Sequence, residues 1–322
     1  MKDIRKYQGV IPAFYACYDE NGAVSAEGAK ALTRHLISKG VKGVYVGGSS
    51  GECIYQHPDE RKALLEAVMS EAEGKLTVIA HVGCNNTADS VELAAHAESV
   101  GVDAIASIPP IYFHLPEHAI ARYWNAMSEA APKTEFVIYN IPQLAGTALT
   151  MSLLNEMLKN PNVVAVKNSS MPTQDIQMFK DAGIAARGEG KFVVFNGPDE
   201  QFVAGRAIGA DGGIGGTYAV MPELYNAMHR LVDEGRIAFR PAVELSYLTE
   251  QEQADLLETI SYEDATPSLA QAIKMKEFSR EERLNADVIL SIMCEQKPNQ
   301  KEKISFRAEK LKPYLPKDIT PK

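Results

Sequence analysis

The sequence predicts a (β/α)8 TIM barrel with a C-terminal helical appendage, and three observations lead there. From residue 8 to about 235, short apolar runs alternate with longer amphipathic stretches, about 20–30 residues apart. The runs are apolar throughout rather than alternating, as in strands buried on both faces of a parallel sheet. Eight run-plus-helix units follow one another, which favours a closed barrel over an open doubly wound sheet.

In chain order, GVIPAF opens the series and AEGAKALTRHLISKG (26–40) is its helix. GVYVGG (43–48) precedes DERKALLEAVMSEAEG (59–74), and LTVIAHVG (76–83) precedes TADSVELAAHAESVG (87–101). DAIASIPP (103–110) is the fourth run and EFVIYNIP (135–142) the fifth, with TMSLLNEMLKN (150–160) after it. VVAVKNSS (163–170), FVVFNGP (192–198) and GGIGGTY (212–218) complete the set before MPELYNAMHRLVDEG (221–235). The last run is glycine-rich and has the least strand propensity of the eight. Several helices end on glycine, which suits a left-handed C-terminal cap. Residues 1–235 are therefore assigned to the barrel and 236–322 to a helical extension packed on it. That extension reads as helical over 241–260, 263–279 and 281–294, then as a charged tail whose last residues are expected to fray.

Composition narrows the function. The 322 residues carry a net charge of −9, so no basic footprint for nucleic acid or an anionic membrane is present. No apolar run approaches the roughly 18 residues of a membrane span, and the N-terminus lacks a signal-peptide pattern. The four cysteines (Cys17, Cys53, Cys84, Cys294) show no CxxC spacing and read as free thiols of a cytoplasmic protein.

Barrels of this class place their chemistry at the C-terminal ends of the strands. Lys167 closes the run Val163-Val164-Ala165-Val166. Burial there disfavours an ammonium relative to the neutral amine that carbonyl attack requires, although an ion-paired or outward-reaching lysine fits the position equally well. Tyr139 closes the neighbouring fifth run, within reach of Lys167 for a proton relay, or simply packs there on its ring. Gly47-Gly48-Ser49-Ser50-Gly51-Glu52 supplies backbone and hydroxyl donors suited to a carboxylate, without the lysine of a phosphate-binding loop. Asp199 and Glu200 follow the seventh strand and suit polyol hydroxyls, or serve as acidic residues at a helix N-terminus. His114-Leu115-Pro116-Glu117-His118 matches a zinc-peptidase string, but Pro116 is expected to open the next helix and leave His114 outside it, so no metal is assigned.

The segments GVKGVYVGGSSGE, AHVGCNNTADSVELAAHAESVGVDAIASIPPIYF, VIYNIPQLAGTALT and VVAVKNSS, in this order, resemble the N-acetylneuraminate lyase and dihydrodipicolinate synthase superfamily from about residue 8 to 235. GGSSGE, NGPDE and GADGGIGGTY look more like the lyase branch, and Leu144 stands where the synthases carry an arginine. The resemblance implies that Lys167 forms a Schiff base and Tyr139 transfers protons. It implies that Gly48, Ser49 and Ser50 hold a substrate carboxylate, and that Tyr112 and Ser169 line the same site. Gly197, Asp199, Glu200, Gly215 and Gly216 match positions around the sugar tail, although Gly216 replaces a serine of the lyases. The implied reaction is reversible cleavage of N-acetylneuraminate to pyruvate and N-acetylmannosamine, with no metal or organic cofactor, in a homo-oligomer, by resemblance a tetramer. An aldolase for another 2-keto-3-deoxy sugar acid, dihydrodipicolinate synthesis and a non-catalytic sugar-acid sensor are the alternatives.

Overall fold

Eight parallel strands pair in chain order: β1 (Gly9–Pro12), β2 (Gly43–Val46), β3 (Thr77–His81), β4 (Ala104–Ser107), β5 (Glu135–Asn140), β6 (Val163–Asn168), β7 (Val193–Asn196) and β8 (Gly212–Gly215). β1 pairs with β8 and also meets β2, where the Phe14 N–H donates to the Tyr45 carbonyl at 2.9 Å, so the ring closes into a TIM barrel. The computed structural model describes residues 4–234, 241, 244–245, 247–263 and 265–295.

Helices α1 (Ala26–Ser38), α2 (Pro58–Ala72), α3 (Thr87–Ser99), α4 (Glu117–Ala130), α5 (Pro142–Ala145), α6 (Met151–Met157), α7 (Gln174–Arg187), α8 (Phe202–Ala207) and α9 (Pro222–Asp233) connect the strands or follow the last of them. Ser25, Asn86 and Thr150 start α1, α3 and α6 by accepting the N–H groups of Gly28, Asp89 and Leu153. Gly40, Gly74 and Gly101 end α1 to α3 in the left-handed region, at φ 68°, 74° and 82°.

The continuous apolar runs have two destinations. Val44, Val46, Val78, Ala80, Phe136 and Ile138 face the helix layer, whereas Tyr45, Ile79, Val137, Tyr139 and Phe195 fill the barrel. At the N-terminal end, a short turn of helix (Ile4–Tyr7) plugs the floor. There the Tyr7 hydroxyl donates to Glu135, and Lys6 pairs with Glu135 at 3.2 Å and Asp103 at 3.1 Å.

β8 forms despite its composition because its neighbours leave no room for side chains. A Cβ at Gly212 would lie 2.5 Å from the Gly9 carbonyl oxygen, and one at Gly213 would lie 2.6 Å from the Tyr218 hydroxyl. Close packing overrides propensity here.

Beyond the barrel, the described helices run over Glu250–Glu263, Leu269–Arg280 and Ala286–Met293. Within the expected helix over 241–260, residues 241, 244 and 245 are helical, 247–249 are not, and Thr249 caps a new start: its N–H donates to Glu252 at 2.7 Å and its hydroxyl receives the Glu252 N–H. The next is delayed to Leu269 by Pro267 and a capping box of Ser268 with Gln271. The third starts after Asn285. Residues 235–240 and the tail from 296 lie outside the described residues, with the fraying expected at the chain's end. Leu256, Leu257 and Ile260 meet Val203 of α8 and Leu224, Met228 and Leu231 of α9 around an apolar cavity of about 60 Å³. All four cysteines are free, and among the described residues no helix is long and apolar enough to cross a membrane.

Alanine at Gly212 forces its methyl against backbone that has no rotamer to yield. A loss of about 1–3 kcal/mol is expected, read as a lower urea midpoint. An unchanged midpoint would show slack in β8 that its contacts deny.

Candidate active site

The site begins with a register shift. β5 and β6 start with Phe136 opposite Val163, but the next pair is Val137 with Ala165, leaving Val164 as an extra residue. Tyr139 therefore faces Lys167; unshifted pairing would have set it against Val166, which packs in the helix layer. A bulge re-aims side chains in this way, because parity decides which face each residue meets.

Lys167 is 4 % exposed. Its Nζ lies 3.7 Å from the centroid of the Tyr139 ring and 4.4 Å from that of Tyr45. Among the described residues no carboxylate lies within ion-pair distance of it. Two aromatic faces thus stand where a buried cation ordinarily has a carboxylate.

Tyr139 answers to the same nitrogen. Burial pushes its phenol up, but the Lys167 charge and hydrogen bond, with the hydroxyls of Ser49 and Ser169, outweigh that and hold it below the ordinary phenol range. Ser49 Oγ stands 3.5 Å from the phenol oxygen, at the outer limit of hydrogen bonding. The ends of β5 and β6 are pinned beyond the pair, where Asn140 Nδ2 donates to Asn168 Oδ1 at 2.8 Å.

Lys167 and Tyr139 open on a cavity of about 320 Å³ that Ser49, Ser50, Ser169, Gly197, Asp199, Glu200 and Gly216 also line. One wall is acidic. Burial raises the Asp199 carboxyl above its usual range while backbone N–H groups of Thr217 and Gly216 oppose the rise. Its Oδ2 accepts the Thr217 N–H at 2.9 Å, and its buried Oδ1 has no partner among the described residues. Tyr15 donates to the Gly216 carbonyl at 2.6 Å and fixes that corner.

Three expected residues stand elsewhere. Gly48 and Gly215 lie behind the lining and act by leaving space. A Cβ at Gly48 would fall 2.6 Å from the Tyr45 ring, and one at Gly215 1.9 Å from the Asp199 carboxylate. Tyr112 does not line this cavity: it is 87 % exposed, at φ 84°, with its ring edge-on to Phe113. Pro116 occupies the N-cap of α4 and leaves His114 outside the helix. Among the described residues, no three His, Cys, Asp or Glu side chains are grouped to hold a metal ion.

Sequence reasoning missed Ala13, Ile141, Gln143, Met171 and Ile214 in the lining, and Tyr45 and His81 beneath it. His81 is buried beside the charges of Arg61 and Lys167; desolvation first and then those charges hold it well below the ordinary imidazole range, so it is neutral. Strand parity was the available signal for Tyr45, because alternate residues of GVYV point inward.

The Dihydrodipicolinate synthetase family model matches residues 6–282. The chain is 66% identical over 237 residues to the N-acetylneuraminate lyase of Mediterraneibacter gnavus, covering 74% of each chain. It is 36% identical to the N-acetylneuraminate lyase of Enterobacter sp. (strain 638), over 72% of this chain and 76% of that one. The wild-type sialic acid aldolase of Ruminococcus gnavus superposes with a TM-score of 0.72 at 53% identity, covering 90% of this chain and 97% of that one. A catalytic lysine mutant of the Ruminococcus gnavus aldolase superposes with a TM-score of 0.73 at 52% identity, covering 91% and 98%.

The electrostatic account of Tyr139 has a direct check. Lys167→Met removes the charge and hydrogen bond that lower the phenol and leaves burial, which raises it. Ultraviolet difference titration, with Tyr139→Phe as the blank, should therefore place Tyr139 below the ordinary phenol range in wild type and above it in the variant. A transition that stays put would overturn that account.

Proposed function

The chain belongs to the dihydrodipicolinate synthetase family, and from that premise we propose that it is a Schiff-base aldolase, a carbon–carbon lyase that reversibly cleaves N-acetylneuraminate to pyruvate and N-acetylmannosamine. The observation that carries the chemistry is the buried Lys167 nitrogen, unpaired with any described carboxylate, opening on the cavity beside Tyr139. The related aldolase solved as a catalytic lysine mutant supports a lysine in that role.

The neutral amine of Lys167 attacks the C2 ketone of the open-chain sugar acid, and loss of water gives an iminium. As C3–C4 breaks, its electron pair flows into that cation and leaves a neutral enamine instead of a carbanion. Tyr139, ionised more readily than an ordinary phenol, takes the C4 hydroxyl proton, and N-acetylmannosamine departs as the aldehyde. Protonation at C3 and hydrolysis then release pyruvate and restore the amine. Ser49 and Ser50 hold the substrate carboxylate at the mouth, while Asp199 and Glu200 receive hydroxyl donors of the sugar tail and Ser169 supports the phenol.

The partners are small molecules, a 2-keto acid and a sugar. A second copy of the chain is part of this reading. Ile54, Tyr55, Tyr112 and Phe113 are all exposed, and Ile54 and Ile111 border one surface cavity, so the two segments form one apolar patch. The lining role expected of Tyr112 then belongs to the cavity of a neighbouring copy.

Gly216 favours a second reading, preference for a related 2-keto-3-deoxy sugar acid, because it offers the tail no hydroxyl. A Cβ there would meet Ser50 Oγ at 3.5 Å and Asp199 Oδ2 at 3.6 Å, ordinary contacts, so serine fits. Leu144 is exposed on α5 and supplies no cation for a second carboxylate, against the dihydrodipicolinate reaction.

Borohydride reduction with pyruvate should leave a covalent adduct on the Lys167 peptide, and none in Lys167→Ala. Mass spectrometry finding no adduct in wild type would remove the aldolase reading and leave the sensor. N-acetylneuraminate should be cleaved in preference to 2-keto-3-deoxygluconate; the reverse order would transfer the enzyme to the second substrate. Gly216→Ser should lower KM for N-acetylneuraminate by a few-fold, one hydrogen bond being worth about 0.5–1.5 kcal/mol.

A further inference from the structure

Tyr45 is the central aromatic of β2 and points into the barrel between two outward valines, Val44 and Val46. It is fully buried, and its hydroxyl has no hydrogen-bond partner among the described residues. Its ring touches both reacting side chains: the Lys167 nitrogen lies 4.4 Å from its centroid, and the Tyr139 ring meets it edge to face at 5.6 Å and 79°. His81 closes the triangle, 6.3 Å from Tyr45 and 6.1 Å from Tyr139. The absence of a side chain at Gly48 is what admits the ring, since a Cβ would fall 2.6 Å from its Cε1.

We propose that Tyr45 is a positioning residue for the aldol reaction, acting through its ring face on the Lys167 nitrogen and through its edge contact on Tyr139. This rests on the reading of Lys167 as the Schiff-base amine. Through the reaction the nitrogen is cationic as ammonium and iminium and neutral as amine and enamine. A π face stabilises the cations. The iminium is the electron sink for C3–C4 cleavage, so the ring supports the intermediate on which bond breaking depends. The contact also sets where the nitrogen stands relative to the phenol. The hydroxyl offers the reaction no base, because burial raises it well above the ordinary phenol range and it stays protonated.

The test compares Tyr45→Phe with Tyr45→Leu in the full chain. Folding is followed by circular dichroism, and the readouts are kcat, KM and the fraction of enzyme trapped by borohydride in a fixed time with saturating pyruvate. Tyr45→Phe keeps the face and is expected to stay within about threefold of wild type in all three readouts. Tyr45→Leu is expected to lose on the order of tenfold in kcat and in trapped fraction, with KM little changed because Ser49 and Ser50 are intact. Should Tyr45→Leu fail to fold, Tyr45→Met, unbranched and near in volume, takes its place with the same expectation. Wild-type kcat in the folded leucine or methionine variant overturns the proposal, as does an equal loss in Tyr45→Phe, which would assign the effect to the hydroxyl. Absence of any adduct in wild type is a different result and removes the Schiff-base reading itself.

Discussion

One extra residue in β6 governs the site. By parity, Tyr139 points into the barrel from β5, and for Lys167 to meet it the two strands must slip by one position before their ends. The slip is taken up at Val164, buried within the barrel core, where apolar contacts replace the regular pairing it interrupts. The geometry of the Lys167–Tyr139 pair follows from it. The ammonium reaches the phenol, the phenol is lowered by that charge, and the nitrogen lies between two ring faces.

A cation buried without a carboxylate partner is costly, and its environment shows how the cost is contained. The rings of Tyr45 and Tyr139 attract the charge without a permanent ion pair among the described residues. Ser49 and Ser50 line the mouth beside them, and the proposed reaction brings its own counter-charge in the carboxylate of the sugar acid. A chain of net charge −9 does not attract such an anion by its overall field, so the proposed function rests on local donors.

The fold was legible because apolar runs and amphipathic helices have distinct periods, and eight repeats leave little choice of topology. Lys167 and Tyr139 at the ends of strands, and Ser49 and Ser50 in the loop after β2, were legible as lining of one cavity because a barrel gathers such residues at that end of its sheet. Four things were not. The bulge at Val164 leaves no trace in a run that is apolar on both faces. Gly48 and Gly215 read as contact residues, yet they act through the space they leave for Tyr45 and Asp199, which only three-dimensional packing reveals. Tyr112 belongs by pattern with the lining, but a left-handed backbone turns it outward, and no local periodicity signals that. The break before Glu250 and the later starts of the next two helices were not legible because capping by Thr249, Ser268 and Asn285 sets them.

The two ends of the barrel solve opposite problems. At the floor, polar groups satisfy one another: Tyr7 donates to Glu135, and Lys6 spans Glu135 and Asp103. Such a network contributes rigidity and asks nothing of a ligand. At the mouth, Asp199 Oδ1 is buried without a described partner, in a carboxyl group that burial already pushes toward protonation. A buried acceptor left unmet costs about 1–3 kcal/mol. The Cβ that Gly215 lacks would stand 1.9 Å from that oxygen, so Oδ1 is turned behind the lining and the mouth carries a polar cost that the floor avoids.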